Sequence, residues 1–531
     1  VRGSDTRADP ALLGQLALCQ GRLRMRTNGL ACKTRRFTVT VPFSRDNSLG
    51  VYNNSVHTAH RAFVERYFLC KEGERFRPAL AVVAGAFDGV WFRAFEREVC
   101  SHMPHLPPLT ERQVADTYRG SKWRVYDEAC RSLELTPFSD KDAWLKSFVK
   151  FEKQKLSGAP RVINPRAARY NLKLGKYLKH AEKYYFRAIN RVFGDRTEAT
   201  VIKGFNADMS AKIARQKWDI FAHPAAVGLD ASKFDMHVSA EALEYEHGFY
   251  RRLYPRNAEL RRLLELQITN RGVARFVDGE LSFTMHGTRS SGDLNTSLGN
   301  CILMCGMVFA YAMEVRVDIE LMNNGDDCVV ILETSSVVRF TAGLDAWFRN
   351  RGFAMTVEPT VYEFERIEFC QSHPVLLSSG WRMVRNQHAV FVKDPMCLVS
   401  ITTDRLFRRW LAAVGECGLH SAAGVPVQEA FYRCFLRNAR GIRPGRRFFR
   451  HVFANTSRLE FAYGVKAAVI TPESRASYWE AFGVLPSEQI LVEKLLDNYV
   501  IKDWTGFEVS HDEVGDLQAA GAEIFTAINH G

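Results

Sequence analysis

Val315-Arg316-Val317-Asp318-Ile319-Glu320-Leu321-Met322-Asn323-Asn324-Gly325-Asp326-Asp327-Cys328-Val329-Val330-Ile331-Leu332 is the stretch whose periodicity decides the fold. Val315, Val317, Ile319 and Leu321 alternate with Arg316, Asp318 and Glu320, the period-two signature of a half-buried strand. Asn324-Gly325 supplies a hairpin turn, and Cys328 to Leu332 reads as a buried strand returning from it. Asp326 and Asp327 then stand at the tip of a β-hairpin. A solvated turn uses the same residue types, so the pair carries no chemistry by itself.

Upstream, the apolar run Ala225 to Leu229 ends at Asp230, a buried strand delivering a carboxylate at its C-terminal end, with Asp235 five positions later. Ser239 can cap a helix from about Ala240 to Leu253, with Glu241 in its first turn. Between this segment and the hairpin, Ser291-Gly292-Asp293-Leu294-Asn295-Thr296 leads into an apolar helix from about Asn295 to Met313. Thr296 and Asn300, four apart, share one face of that helix. A D-x4-D spacing is expected about once by chance in a chain this long. The order carries the weight: strand-end D-x4-D, a Ser-Gly-x3-Thr-x3-Asn loop and helix, then an Asn-Gly-Asp-Asp hairpin. Carboxylates from adjacent strand ends can hold two Mg²⁺ ions ~4 Å apart, which stabilise the attacking and leaving oxygens of a displacement at phosphorus.

The chain has 531 residues and a formal charge of +13. Most of that surplus lies between Lys141 and Asn190, where thirteen lysines and arginines oppose Asp142, Glu152 and Glu182 and are interleaved with Tyr170, Tyr177, Tyr184, Tyr185 and Phe186. Cations that neutralise phosphates beside rings that stack on bases suit a nucleic-acid channel, although a solvated basic face has the same composition. A second cluster comprises Arg437, Arg440, Arg443, Arg446, Arg447 and Arg450 around Phe448 and Phe449. At 46% hydrophobic and 12% aromatic the chain is neither a disordered tail nor a small disulfide scaffold. Its twelve cysteines lack any CxxC spacing and read as reduced, buried residues. The longest apolar run, Cys301 to Met313, is short of the ~20 residues that span a bilayer, so no transmembrane segment is expected. The first thirty residues are Arg- and Gly-rich with weak periodicity and read as a poorly ordered or peripheral extension. The start at Val1 is compatible with a fragment.

Taken together, these segments resemble motifs A, B and C of viral RNA-dependent RNA polymerases, and longer strings resemble the Tombusviridae-like group of positive-strand RNA plant viruses. The matching text is Phe148-Val149-Lys150-Phe151-Glu152-Lys153, Ala159-Pro160-Arg161-Val162-Ile163-Asn164-Pro165-Arg166, Gly228 to Asp235, Ser291 to Asn300, Asn323 to Cys328, Gly50-Val51-Tyr52-Asn53-Asn54-Ser55 and Arg366-Ile367-Glu368-Phe369-Cys370-Gln371. The resemblance covers roughly residues 31 to 400. It implies an α+β right-hand fold of fingers, palm and thumb, with an antiparallel palm sheet packed on helices. The corresponding division is 1–30 as an N-terminal extension, 31–220 as fingers with the basic nucleotide-tunnel motif at 148–166, and 221–255 as palm with motif A. Residues 256–286 would be a fingers insertion, 287–395 palm with motifs B to E, and 396–531 a helical thumb.

By the same resemblance Asp230, Asp326 and Asp327 are the catalytic, metal-binding carboxylates for two Mg²⁺ or Mn²⁺ ions. Asp235, Ser291, Thr296 and Asn300 recognise the ribose of the incoming nucleotide, because a hydroxyl marks RNA only where a polar group is placed to bond it. Lys153, Lys155 and Arg161 receive the triphosphate. Glu368, Phe369 and Cys370 support the priming strand. Thr356 stands where such proteins often carry a lysine that serves as general acid, which leaves that role unassigned. The implied partners are template and nascent RNA, ribonucleoside triphosphates and a viral auxiliary replicase protein. The implied location is the host cytoplasm, at the cytoplasmic face of an organelle membrane reached through other replicase components. Two rival readings are a reverse transcriptase-like palm polymerase, for which a bulky ring is expected at position 235, and a catalytically silent RNA-binding replicase subunit.

Overall fold

The structure is a computed structural model that describes residues 2–19, 21–39, 48–72, 75–387, 389–444 and 468–501. In chain order, the elements that position the site are β1 (Gly21–Thr27), α1 (Ala168–Leu178), α2 (Glu182–Val192), α3 (Ala207–Trp218), β2 (Pro224–Ala231), α4 (Ala240–Leu253), α5 (Ala258–Ile268), β3 (Thr269–Phe276), β4 (Gly279–His286), α6 (Thr296–Val315), β5 (Ile319–Asn324), β6 (Asp327–Glu333) and β7 (Met355–Val357).

Four of these strands form a central antiparallel sheet in the order β5-β6-β2-β7. Its register decides the site: Asp230 lies opposite Asp327 on one side and opposite Thr356 on the other. Side chains alternate across the sheet. Val227, Leu229, Val330 and Leu332 face a core shared with α4 and α6, while Ala226, Val329 and Ile331 face one shared with Ile213, Trp218 and Phe364. Both faces are covered, which is why β2 and β6 are continuous apolar runs instead of alternating ones. Each buried Val, Leu or Ile contributes about 1.5–3 kcal/mol.

α6 is twenty residues long and apolar enough to cross a membrane by length and composition, yet 78% of its most apolar stretch is buried inside the protein. It is the core helix beneath the sheet, and that burial accounts for its composition. The helix ends at Arg316, whose φ of +55° takes the chain into the left-handed region.

Two expectations are corrected here. The half-buried strand read from Val315 begins only at Ile319, because Val315 still belongs to α6, and β5 is buried on both faces as far as Asn323. Glu320, read as a solvent-facing position, is 1% exposed. The Lys217 ammonium from α3 lies 2.7 Å from one of its oxygens and the Arg196 guanidinium 2.7 Å from the other. Alternation in the sequence cannot reveal a countercharge supplied by another element. Secondly, the N-terminal segment is not peripheral throughout: β1 pairs antiparallel with β4 from Gly21 opposite Met285 to Thr27 opposite Gly279. It forms the edge of a second sheet, β1-β4-β3, which Leu145–Lys146 extends in parallel with β3. Arg22, Arg24 and Arg26, alternating with Leu23 and Met25, are what an edge strand carries to prevent further pairing.

Helices Asp404–Ala422, Gln428–Asn438, Pro472–Phe482 and Pro486–Asn498 share a separate core around Trp410, Phe431, Phe435 and Tyr478. Of the second basic cluster, Arg437 donates to the carbonyls of Leu496 (2.9 Å) and Tyr499 (2.7 Å), joining two of these helices. Arg446, Arg447, Phe448, Phe449 and Arg450 lie outside the described residues.

Candidate active site

The site begins at the hairpin. Asn324 pairs with Asp327, so the loop is Gly325-Asp326, one residue later than the Asn-Gly pair suggests. Gly325 has φ +86°, which a glycine adopts at no steric cost. Asn323 clamps the loop, donating to the Gly325 carbonyl (2.7 Å) and accepting from its N–H (3.2 Å). Asp326 is thereby carried above strands whose neighbours Asp230 and Asp327 are register partners, in a sheet with strands about 4.8 Å apart.

All three residues are exposed to solvent, yet protein atoms crowd the carboxyls of Asp326 and Asp327. That crowding, followed by the charges of Asp327, Asp235 and Asp230, pushes the Asp326 carboxyl up to about 6. Asp327 is also raised, chiefly by burial and then by Asp230 and Glu368, although the Cys370 thiol donates to it at 3.6 Å and partly offsets this. Glu358 is raised by burial and by Glu368, Asp230 and Asp327. No residue motif marked Glu358, and only the tertiary structure brings it here. A Cβ at Gly228 would overlap its Oε2, so Gly228 provides the space it occupies.

Asp235 is the centre of a second network. Ser291 Oγ donates to its Oδ2, and Asn300 Nδ2 donates to its Oδ1 at 3.0 Å. Tyr67 in turn donates to Ser291 Oγ at 3.4 Å. Asn300 Oδ1 accepts from Arg289 Nε at 2.9 Å, and Arg289 is paired with Glu246, both side chains being fully buried. Glu246 also accepts from Tyr250 (2.7 Å) and Asn295 (2.9 Å). Thr296 is not a member of this network: its hydroxyl donates to the Ser290 carbonyl at 3.0 Å, closing the loop that leads into α6. Tyr67, Arg289 and Glu246 carry no signal in the sequence because nothing local distinguishes them from ordinary core or helix residues.

The basic segment divides. Arg161 is exposed and reaches Glu152 at 3.4 Å, with Lys150 holding the same carboxylate at 2.7 Å. Lys155 is exposed, in a short strand opposite Leu49. Lys153 turns elsewhere and donates to the Lys393 carbonyl, and burial lowers its ammonium to about 8. Arg166 is buried against Asp293 and donates to the Ala143 carbonyl at 2.7 Å, which fastens this segment to the 288–296 loop. Arg66, which no motif marks, donates from Nε to the Ala159 carbonyl at 3.2 Å. Burial, then the like charge of Arg161, hold its guanidinium below the usual range.

A family model described as viral RNA dependent RNA polymerase matches residues 23–503. The chain belongs to that family. It is 41% identical over 466 residues to the RNA-directed RNA polymerase of Tobacco necrosis virus (strain A), covering 86% of this chain and 62% of that protein. To the RNA-directed RNA polymerases of Cymbidium ringspot virus and Tomato bushy stunt virus (strain Cherry) it is 38% identical over 501 residues, 94% of this chain and 60% of each. The chain thus spans about three-fifths of the length of these curated relatives.

Within this polymerase-family chain, the remaining predicted residues separate by depth. Glu368 lies 3.7 Å from the His373 ring, which, ahead of any other influence, holds its carboxyl below the usual range. Phe369 is buried with Phe364 and Ile367 and offers no free face. Cys370, at φ +52°, bridges the hairpin by accepting from Asn324 Nδ2 at 3.2 Å and donating to Asp327. Thr356 sits in β7 opposite Asp230.

Proposed function

We propose that this chain catalyses RNA-templated RNA synthesis from ribonucleoside triphosphates, as the polymerase of a positive-strand RNA virus. The observation that carries the reading is the register of the central sheet, which puts Asp230 beside Asp327 under the Asp326 loop, with the Asp235 network alongside. In this reading the central sheet with α4 and α6 is the palm, the β1-β4-β3 sheet and the basic segment belong to the fingers, and the helices after residue 396 form the thumb.

Among the described residues, no three His, Cys, Asp or Glu side chains form a ready-made metal cage. Mg²⁺ rarely uses one, binding through one or two carboxylates with substrate phosphates and water completing the shell. Crowded carboxylates that raise one another are the donor set that a hard cation relieves. Asp230, Asp326 and Asp327 would hold two Mg²⁺ or Mn²⁺ ions, which supply Lewis acidity and a template for in-line displacement. Asp235 keeps acceptor capacity for a ribose 2′-OH because Ser291 and Asn300 each use one lone pair on a different oxygen. Arg161 and Lys155, with Arg66, neutralise the triphosphate and the leaving pyrophosphate. Cys370 and Glu368 brace the hairpin beside the priming strand. A reverse transcriptase would exclude the 2′-OH at position 235, and Asp235 is built to bond it. Association with an auxiliary replicase protein at a cytoplasmic membrane face belongs to the same proposal.

The experiment is primer-independent incorporation of labelled ribonucleotides on short RNA templates with and without Mg²⁺. Asp326→Asn is expected to abolish incorporation and leave RNA binding nearly intact; full activity in that variant refutes the assignment, and inactivity of the unsubstituted chain favours the silent RNA-binding subunit.

A further inference from the structure

The thirteen cations of the basic block do not form one surface. Arg166 is paired with Asp293, Arg169 with Asp142, Lys173 with Glu111 and Glu259, Lys176 with Glu259, and Lys150 with Glu152. These are internal fasteners whose charge the fold has already compensated. Lys183 and Arg187 are different. They are exposed on α2, followed one turn later by exposed Arg191, and among the described residues none of the three has a carboxylate at ion-pair distance. Like charges at i, i+4 and i+8 destabilise a helix, and among the described residues no ion pair offsets that here. Lys183 and Arg187 both lie over the Tyr184 ring, at 4.9 and 6.0 Å, which fixes their stems.

The stripe lines an open cavity of about 530 Å³ whose other walls include Lys203, Phe186 and Phe205. It also holds two acids: Asp195 accepts from Asn190, another wall residue, at 2.6 Å, and Glu198 pairs with Lys212 at 2.7 Å. Lys203, 3.8 Å from Glu182, donates to Ser297 at the N-terminal end of α6. The floor continues into the catalytic hairpin, where Ile202 N–H donates to the Asn323 carbonyl at 2.8 Å.

We propose that this cavity is a second RNA-contact site, which takes the phosphodiester backbone of single-stranded RNA on Lys183, Arg187, Arg191 and Lys203 and stacks a base on Phe205. Successive cations of the stripe are about 6 Å apart along the helix, comparable to the spacing of phosphates in an extended strand. The exposed Phe205 ring beside them is the stacking partner that a sequence-tolerant single-strand site uses. A strand seated here is led past Ser297 toward the carboxylates. The proposal rests on the polymerase reading only for the identity of the ligand.

The test is fluorescence anisotropy of a labelled twelve-nucleotide oligouridylate with the full chain over a KCl series, without nucleotide or divalent ion. Lys183→Gln with Arg187→Gln is expected to reduce affinity and to flatten the log–log salt slope by about 1.4, at about 0.7 for each single-strand phosphate that is no longer neutralised. Lys173→Gln, whose ammonium is consumed by Glu111 and Glu259, is expected to leave the slope unchanged. An unchanged slope in the double variant, with an unchanged thermal midpoint, overturns the proposal. So does a loss confined to binding of phosphatidylserine vesicles, which would assign the stripe to a membrane. Because no catalysis is measured, the result is independent of the Asp326→Asn experiment.

Discussion

Gly299 is the fourth residue of α6, where glycine costs about 1 kcal/mol of helix stability relative to alanine. By helix propensity alone, Gly299→Ala should therefore stabilise the protein. The packing opposes this. A Cβ at 299 would stand 2.3 Å from Glu246 Oε1 and 2.5 Å from Arg289 Nη2, where 3.4 Å is ordinary contact, so the buried pair must retreat by roughly 1 Å. Overpacking of that size costs about 1–3 kcal/mol, and severing a fully buried ion pair costs about 3–5 kcal/mol. Set against the propensity gain of about 1 kcal/mol, the expected net change is a destabilisation of about 0–2 kcal/mol if the pair adjusts and about 2–4 kcal/mol if it is severed, measured as a lower thermal midpoint. The next residue, Asn300, takes its orientation from Arg289 and passes it to Asp235, so discrimination of ribo- over deoxyribonucleotides should fall by about tenfold, the worth of one charge-assisted hydrogen bond. Competition between labelled UTP and dUTP at fixed template measures it. A more stable variant with unaltered sugar preference would refute both the steric argument and the relay from Arg289 to Asp235.

Asp235→Ala, which removes the acceptor outright, should weaken sugar discrimination more than Gly299→Ala does and leave Mn²⁺ affinity within a few-fold, read by calorimetry; an unchanged preference removes Asp235 from ribose recognition. For pH, the Asp326 carboxyl raised to about 6 binds a proton in the folded chain over a range where the unfolded chain, near 3.8, has lost it. Its contribution to stability thus declines as pH rises from about 4 to 6, and a divalent ion must displace the proton below 6. Mn²⁺ affinity should fall about tenfold between pH 7 and pH 5, and a flat profile would exclude Asp326 from the ion's ligands.

The parts of the molecule legible beforehand share a property: each is specified by neighbours within a few residues. Ser239 does cap α4, its side chain accepting from the Ala242 N–H. The hairpin was legible because a turn needs only two permissive residues between apolar runs. Where expectation and structure part, a distant partner intervenes. Glu320 looks solvent-facing until Lys217 and Arg196 are brought to it, and β1 looks peripheral because its partner β4 lies some 260 positions later. Thr296 sits on the predicted face of α6 but spends its hydroxyl on the Ser290 carbonyl, a choice that depends on how the loop folds back.

The order of residues alone determined that carboxylates end one strand and tip a hairpin, that a Ser-Gly loop starts an apolar helix, and that the family motifs are present, since periodicity, capping and turn chemistry act over short range. The tertiary structure alone decided that Asp230 faces Asp327, that Glu358 and Cys370 join them, that Arg289 and Glu246 lie beneath Asn300, and which lysines and arginines are internal fasteners. Charge pairing acts through space between segments 43 to 127 residues apart in these examples, and only the packed chain sets those distances.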